Sequence, residues 1–163
     1  MKNKPMWLFL CCCSVPFLLA YIAVSFNWLP DRVTNNGKFV EGEISIAGWQ
    51  QEPGVLWTIA LNAPIHCTRA CTHQLNDLTN TYTALGKNKK RVSLAILGRE
   101  TGDSKMLAYP SLTELEAGKL YLIDHRGLVV LAYDHSFDAQ ENRMNHKGML
   151  KDLKKLLNYA RSS

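Results

Sequence analysis

The sequence predicts an α/β domain, ordered strand, helix, strand, short helix, strand, strand, helix, behind a single membrane-spanning helix. Three observations carry this. Residues 6–29 contain no charged side chain. Two β-favouring runs, 55–61 and 91–97, flank a segment whose apolar residues recur at steps of four and three. Near the C-terminus two short apolar runs are split by a glycine-containing turn and followed by a helical stripe.

The uncharged run is long enough to cross a hydrocarbon core as a helix. Trp7 and Trp28 sit near its ends, where interfacial aromatics sit. Lys2 and Lys4 precede it without an acidic partner, which keeps the short N-terminus cytoplasmic and places the rest outside, in the periplasm of a bacterium. A cleaved signal peptide competes with this reading, with Ala23-Val-Ser25 as cleavage site. The apolar run continues past that site to Leu29, which favours an uncleaved anchor in the inner membrane. The expected division is an anchor over 1–29, a polar linker with a short extended segment over 30–52, and a folded domain over 53–163.

Composition is that of an ordinary folded chain: 163 residues, 47% hydrophobic and 20% charged. Lys2 and Lys4 supply two of the net +5 charges. Lys87, Lys89, Lys90 and Arg91 cluster just after an expected helix end, where cations complement the helix dipole, and no aromatics interleave them. Nucleic acid is not an expected partner.

Within the domain, residues 55–61 read as a buried strand. Cys71, Leu75, Leu78, Tyr82 and Leu85 then form one face of an amphipathic helix that Gly86 closes. Cys67 and Cys71 therefore fall where a strand turns into a helix. Unpaired N–H groups and the dipole at a helix start favour thiolate, the form that exchanges disulfides and binds soft metals such as Cu(I). His66 and His73 lie beside the pair. The remaining cysteines, Cys11, Cys12 and Cys13, fall in the apolar run.

A second buried strand follows over 91–97, then a loop over 98–110. Ser111 and Glu114 have capping-box spacing, and Gly118 would end the short helix they start. Strands over 119–123 and 128–133 make a hairpin around Asp124-His-Arg-Gly127. A loop runs from His135 to His146. Met149, Leu150, Leu153, Leu156, Leu157 and Ala160 then form the stripe of a closing helix. This β-α-β then β-β-α order is the thioredoxin arrangement, with the cysteines at the C-terminal end of its first strand, where open α/β sheets place their sites.

The stretch Trp57-Thr-Ile-Ala-Leu-Asn-Ala-Pro64-Ile-His-Cys67-Thr-Arg-Ala-Cys71-Thr-His-Gln-Leu75 resembles the cysteine motif of the Sco/SenC family. These are membrane-anchored thioredoxin-like proteins that help load copper into cytochrome c oxidase. The three-residue spacing of the cysteines is the discriminating feature, since thioredoxin itself has two. The anchor, the Asn35-Asn-Gly-Lys38 stretch, Ala84-Leu-Gly-Lys87 and Leu120-Tyr-Leu-Ile-Asp124 further resemble short proteobacterial proteins linked with cytochrome oxidase. The resemblance implies a thioredoxin-like fold, copper as the metal, and a cytochrome c oxidase subunit or another envelope thiol protein as partner.

The departures bear on the site. Sco proteins carry a third copper ligand, a histidine, shortly before the strand that ends in an Asp such as Asp124. Counting back from that strand puts Glu116 there. Thr68 and Thr72 stand where the family places prolines, and none precedes Lys119 where thioredoxins place a cis-proline. His135, in Tyr133-Asp-His-Ser136, follows the hairpin and takes no ligand role from the resemblance. A zinc Cys₂His₂ site lacks its second-pair spacing. The expected metal ligands are Cys67, Cys71, His66, His73 and Glu116, with Cys67 and Cys71 also the exchanging thiols.

Three functions follow. The first is an oxidase-assembly factor delivering Cu(I) or keeping partner thiols reduced, more a metallochaperone than an enzyme. The second is a general envelope thiol–disulfide oxidoreductase without copper. The third is a non-catalytic tethered interaction domain holding a structural disulfide.

Overall fold

The computed structural model describes residues 4–26, 35–50, 52–64, 69–100, 106–136 and 138–160. It divides into two units, 1–34 and 35–163. The first contains α1 (Lys4–Ser25), with Pro16 inside it. Its 19-residue stretch Trp7–Ser25 is long and apolar enough to cross a membrane. Trp28 lies outside the described residues.

The second unit is a six-stranded sheet with helices on one face. Its elements are β1 (Lys38–Phe39), β2 (Trp57–Asn62), α2 (Arg69–Thr83), β3 (Val92–Leu97), β4 (Met106–Tyr109), β5 (Leu120–Asp124), β6 (Val129–Tyr133) and α3 (Ala139–Tyr159). Strand order is β1-β6-β5-β2-β3-β4. β2 pairs in parallel with β3, and β5 pairs antiparallel with both β2 and β6. The central order β3-β2-β5-β6, with α2 crossing between β2 and β3, is the thioredoxin arrangement.

The alternation of strand side chains divides the core. Ile59, Leu61, Leu94, Leu122 and Leu131 face one way, where Leu78 of α2 and Met149, Leu153 and Leu157 of α3 cover them. Ala60, Ala95, Tyr121 and Ile123 face the other way, under Ile46, Leu115 and the partly buried Trp49 and Tyr109. That second face carries no helix among the described residues. Trp49 stacks on Tyr109 with ring centroids 4.9 Å apart, and its Nε1 donates to the His125 carbonyl at 3.0 Å. Residues 38–49, part of the 30–52 stretch read from the sequence as a polar linker with a short extended segment, thus supply β1, a bridge from Ser45 to Leu128, and this cover.

The α2 stripe is seated as its spacing requires: Cys71, Leu78 and Leu85 are buried, Leu75 and Tyr82 half-buried. Gly86 has φ +57, a left-handed value suited to glycine after a helix. The basic cluster continues as a 3₁₀ segment, Gly86–Arg91.

Three local expectations are corrected. The loop expected over 98–110 contains β4, a parallel edge strand paired from Leu94↔Met106 to Leu97↔Tyr109. The short helix expected from Ser111 is only a turn closed by Leu115 N–H donating to the Leu112 carbonyl at 3.2 Å. Between Pro110 and Gly118 (φ +82) too few residues remain to repay helix nucleation. The loop expected from His135 to His146 is mostly helix, because α3 begins at Ala139. Asp138 caps it, accepting from the Gln140 and Glu141 backbone N–H groups at 2.7 and 2.9 Å.

Candidate functional site

β2 delivers the chain to the site. Asn62 ends the strand, its N–H donating to the Lys119 carbonyl at 3.1 Å and its side-chain amide to the Leu115 carbonyl at 2.8 Å. Ala63 and Pro64 follow; His66 and Cys67 lie outside the described residues. The chain resumes as α2 at Arg69, which puts Cys71 in the first turn. The Cys71 side chain turns into the core, with the residue only 2% exposed, and its sulfur is in a disulfide. Cys12 and Cys13 are free, and the disulfide partner lies outside the residues whose side chains are described.

No acidic residue occupies the first turn of α2, so the N-terminal partial charge is not offset there. Gln74, one turn on, is also buried; its Nε2 donates to the Gly118 carbonyl at 2.8 Å. Gly118 N–H in turn donates to the Asn62 carbonyl at 2.7 Å. Asn62 and Gln74 therefore tie the 115–118 segment to the strand end and to the cysteine helix. Neither stood out in the sequence, since a lone Asn or Gln carries no periodic signal.

That segment contains Glu116. Its carboxylate is 73% exposed and pairs with Lys119 Nζ at 2.9 Å, while its carbonyl accepts from Tyr121 Oη at 3.2 Å. Lys119 also bonds Asp134 at 2.9 Å, and these two partners, Glu116 first, hold its ammonium above the usual lysine range. Asp134 is held below the usual carboxylate range by Lys38 and Lys119. Glu116 thus sits in a surface ion-pair network.

His73 is directed elsewhere. Its side chain is 72% exposed and its Nδ1 meets Asp77 Oδ2 at 3.1 Å, one turn along α2. Asp77 also accepts from Asn142 Nδ2 of α3 at 2.9 Å. Among the described residues, no group of three histidine, cysteine or carboxylate side chains is gathered closely enough to hold a metal.

No protein-family model matches the chain, and no curated protein matches it. Solved structures do. One is ScoI of Bradyrhizobium japonicum with copper bound, 14% identical, spanning 61% of this chain and 84% of its own, with a TM-score of 0.43. Another is ScoI of Arabidopsis thaliana with copper bound, 15% identical over 71% of this chain and 99% of its own, at 0.48. A third is a SCO1/SenC family lipoprotein of Bacillus anthracis, 12% identical over 79% and 99%, at 0.45. These three structures are ScoI and SCO1/SenC proteins, while the thioredoxin-like fold of this chain stands on its own strand order.

Proposed function

We propose that this protein is a membrane-tethered thioredoxin-like assembly factor for cytochrome c oxidase, working through Cys67 and Cys71. The observation that carries the chemistry is the Cys71 disulfide at the start of α2, directly beyond the C-terminal end of the central strand β2. Cys67 is its partner in this reading, four residues away, a spacing compatible with the Cα separation that disulfides require. The oxidase connection rests on the Sco/SenC-like cysteine motif. The membrane connection rests on α1, with the domain on the periplasmic side.

In the reduced state the more exposed thiolate, Cys67, attacks a partner disulfide and forms a mixed disulfide, releasing one partner thiolate. Cys71 then attacks the Cys67 sulfur and frees the second partner thiolate. Two electrons pass to the partner, and the Cys67–Cys71 disulfide is left. The α2 N-terminus stabilises the thiolate at Cys71. The same two thiolates are the soft donors that select Cu(I), here a cargo to be handed on. Glu116 fits poorly as a third donor: a carboxylate suits harder cations, and this one is paired with Lys119.

That mismatch favours a second reading, an envelope thiol–disulfide oxidoreductase that handles no copper. One experiment separates the two. The fully reduced protein is titrated with Cu(I) against a competing chelator, beside a Cys67→Ser/Cys71→Ser control, and the reduction potential of the pair is measured. One copper per chain, lost in the control, establishes the copper role. No copper with a potential in the range of exchange proteins leaves the oxidoreductase. A potential below about −300 mV marks a structural disulfide.

A further inference from the structure

The two sides of α3 differ in character. Gly148, Met149, Asp152, Leu153 and Leu157 are buried. On the opposite side Arg143, Lys147, Lys151 and Lys154 are exposed. Their steps of four, four and three keep them in one stripe along the helix, about 17 Å long. Neither acidic residue of α3 joins it, because Glu141 precedes the stripe and takes the Ser136 hydroxyl, and Asp152 is buried.

Inside the domain this stripe has no counterpart. Among the described residues none of the four cations makes an ion pair, whereas Lys38, Lys119 and Arg126 each do. Nor do they serve the helix dipole, since none lies in the last turn. Cations three and four residues apart on a helix repel one another, so the stripe costs α3 stability rather than adding to it. An anionic surface outside the domain relieves that repulsion.

The chain's own membrane is the anionic surface at hand. Asn36 is held on the Asp152 carboxylate of α3 by its backbone N–H at 2.6 Å and its side-chain amide at 2.7 Å. Gly148 makes room for it, since a Cβ there would stand 2.8 Å from Asn36 Cβ. Asn36 follows Ser25, the last residue of α1, by eleven residues, a stretch that spans at most about 40 Å. The tether therefore ends on the helix that carries the stripe, and a lipid surface is offered to it at high effective concentration. An acidic protein would have to be met by diffusion.

We propose that the face of α3 formed by Arg143, Lys147, Lys151 and Lys154 docks on anionic phospholipid headgroups of the membrane in which α1 is anchored. The proposal rests on the membrane tether given above and needs neither copper nor the disulfide. Each cation is drawn to a negatively charged lipid surface, and salt screens the attraction. Met144, beside the stripe and 64% exposed, is a side chain that the headgroup boundary accommodates. Docking gives a membrane-bound partner a constant presentation of α2, which packs on the same face of the sheet as α3.

The test uses the full chain in nanodiscs of phosphatidylcholine alone or of phosphatidylcholine mixed with phosphatidylglycerol. Lysines are acylated with an amine-reactive ester and each is followed by mass spectrometry, with Lys87, Lys89 and Lys90 of the 3₁₀ segment as internal references. Relative to these, Lys147, Lys151 and Lys154 should react roughly threefold or more slowly in the anionic discs than in the neutral ones. Salt at about 1 M should remove the difference. Lys147→Gln/Lys151→Gln, a change at two exposed positions, should return Lys154 to its neutral-disc rate while circular dichroism stays unchanged. Equal rates in the two discs overturn the proposal and leave the stripe to an acidic protein; slowing shared by the references, or indifferent to salt, overturns it too. A chain that elutes apart from both discs removes the anchor and the proposal together. Since no readout involves sulfur, each result is independent of the copper titration above.

Discussion

The Asp152 carboxylate receives the Asn36 side-chain amide at 2.7 Å, across 116 residues of chain. It also accepts the Asn36 and Gly37 backbone N–H groups at 2.6 and 3.0 Å and the Tyr133 hydroxyl at 2.9 Å. Asp152 is 2% exposed, and this set of donors compensates its burial. Burial, with the Asp152 charge beside it, pushes the Tyr133 phenol well above its usual range and keeps it a donor. Asp152→Ala should therefore lower unfolding free energy by about 2–4 kcal/mol, because it leaves several buried donors unpaired. Urea denaturation of the variant checks this, and a loss smaller than about 1 kcal/mol would mean that water replaces the carboxylate.

Cys71 and Cys67 should differ in reactivity. With Cys11, Cys12 and Cys13 replaced by alanine, Cys67→Ser leaves the buried Cys71 thiol and Cys71→Ser leaves Cys67. Alkylation followed by mass spectrometry should label the Cys71→Ser chain at least tenfold faster. Equal rates would remove the assignment of Cys67 as the attacking thiol.

Acid should loosen the β5–β6 hairpin. Burial alone would raise the Asp124 pKa, but the N–H groups of Leu128 and Arg126 and the Arg126 guanidinium outweigh it and hold the carboxyl below its usual range. A depressed folded-state pKa contributes stability that is present above the unfolded value, about 3.9, and lost as pH falls through the folded one. Stability should therefore decline as pH drops below about 4, and Asp124→Asn should flatten that decline. Urea midpoints from pH 7 down to acid, for both proteins, report it; parallel curves would assign the acid limb to other carboxylates.

Gly127→Ala should damage the same turn from the other side of the sheet. Gly127 has φ +86, and a Cβ there would stand 2.6 Å from Trp49 Cγ. Strain and displacement together should cost about 1–3 kcal/mol. Trp49 should move off Tyr109, with a red shift of tryptophan emission. An unchanged spectrum would show that the Trp49 stack does not depend on the turn.

The β2–α2–β3 unit and the β5–β6 hairpin were legible because each buries a full face and so imposes a period on the sequence. β4 was not. Its four residues pair with a single strand and stay mostly half-buried, so neither a continuous apolar run nor a clean alternation marks them. The first two turns of α3 were missed because they are largely polar; the Asp138-x-x-Glu141 spacing was the available signal. The same spacing at Ser111 misled, since a cap cannot sustain a helix without length behind it. At the site, Cys71 could be placed from its strand–helix junction.

The clamp on Asn36 also decides how the domain bears mechanical load. Tension carried along the N-terminal segment enters the folded unit at Asn36 and Gly37, where Asp152 grips it, and continues through β1 into β6. α3 and the β1–β6 pair at the sheet edge therefore take up the pull. β2 and α2, the helix that carries Cys71, sit two strands further in and outside that line of force. Force that enters at Asn36 is thus borne without deforming the β2–α2 junction beside which the Cys71 disulfide sits.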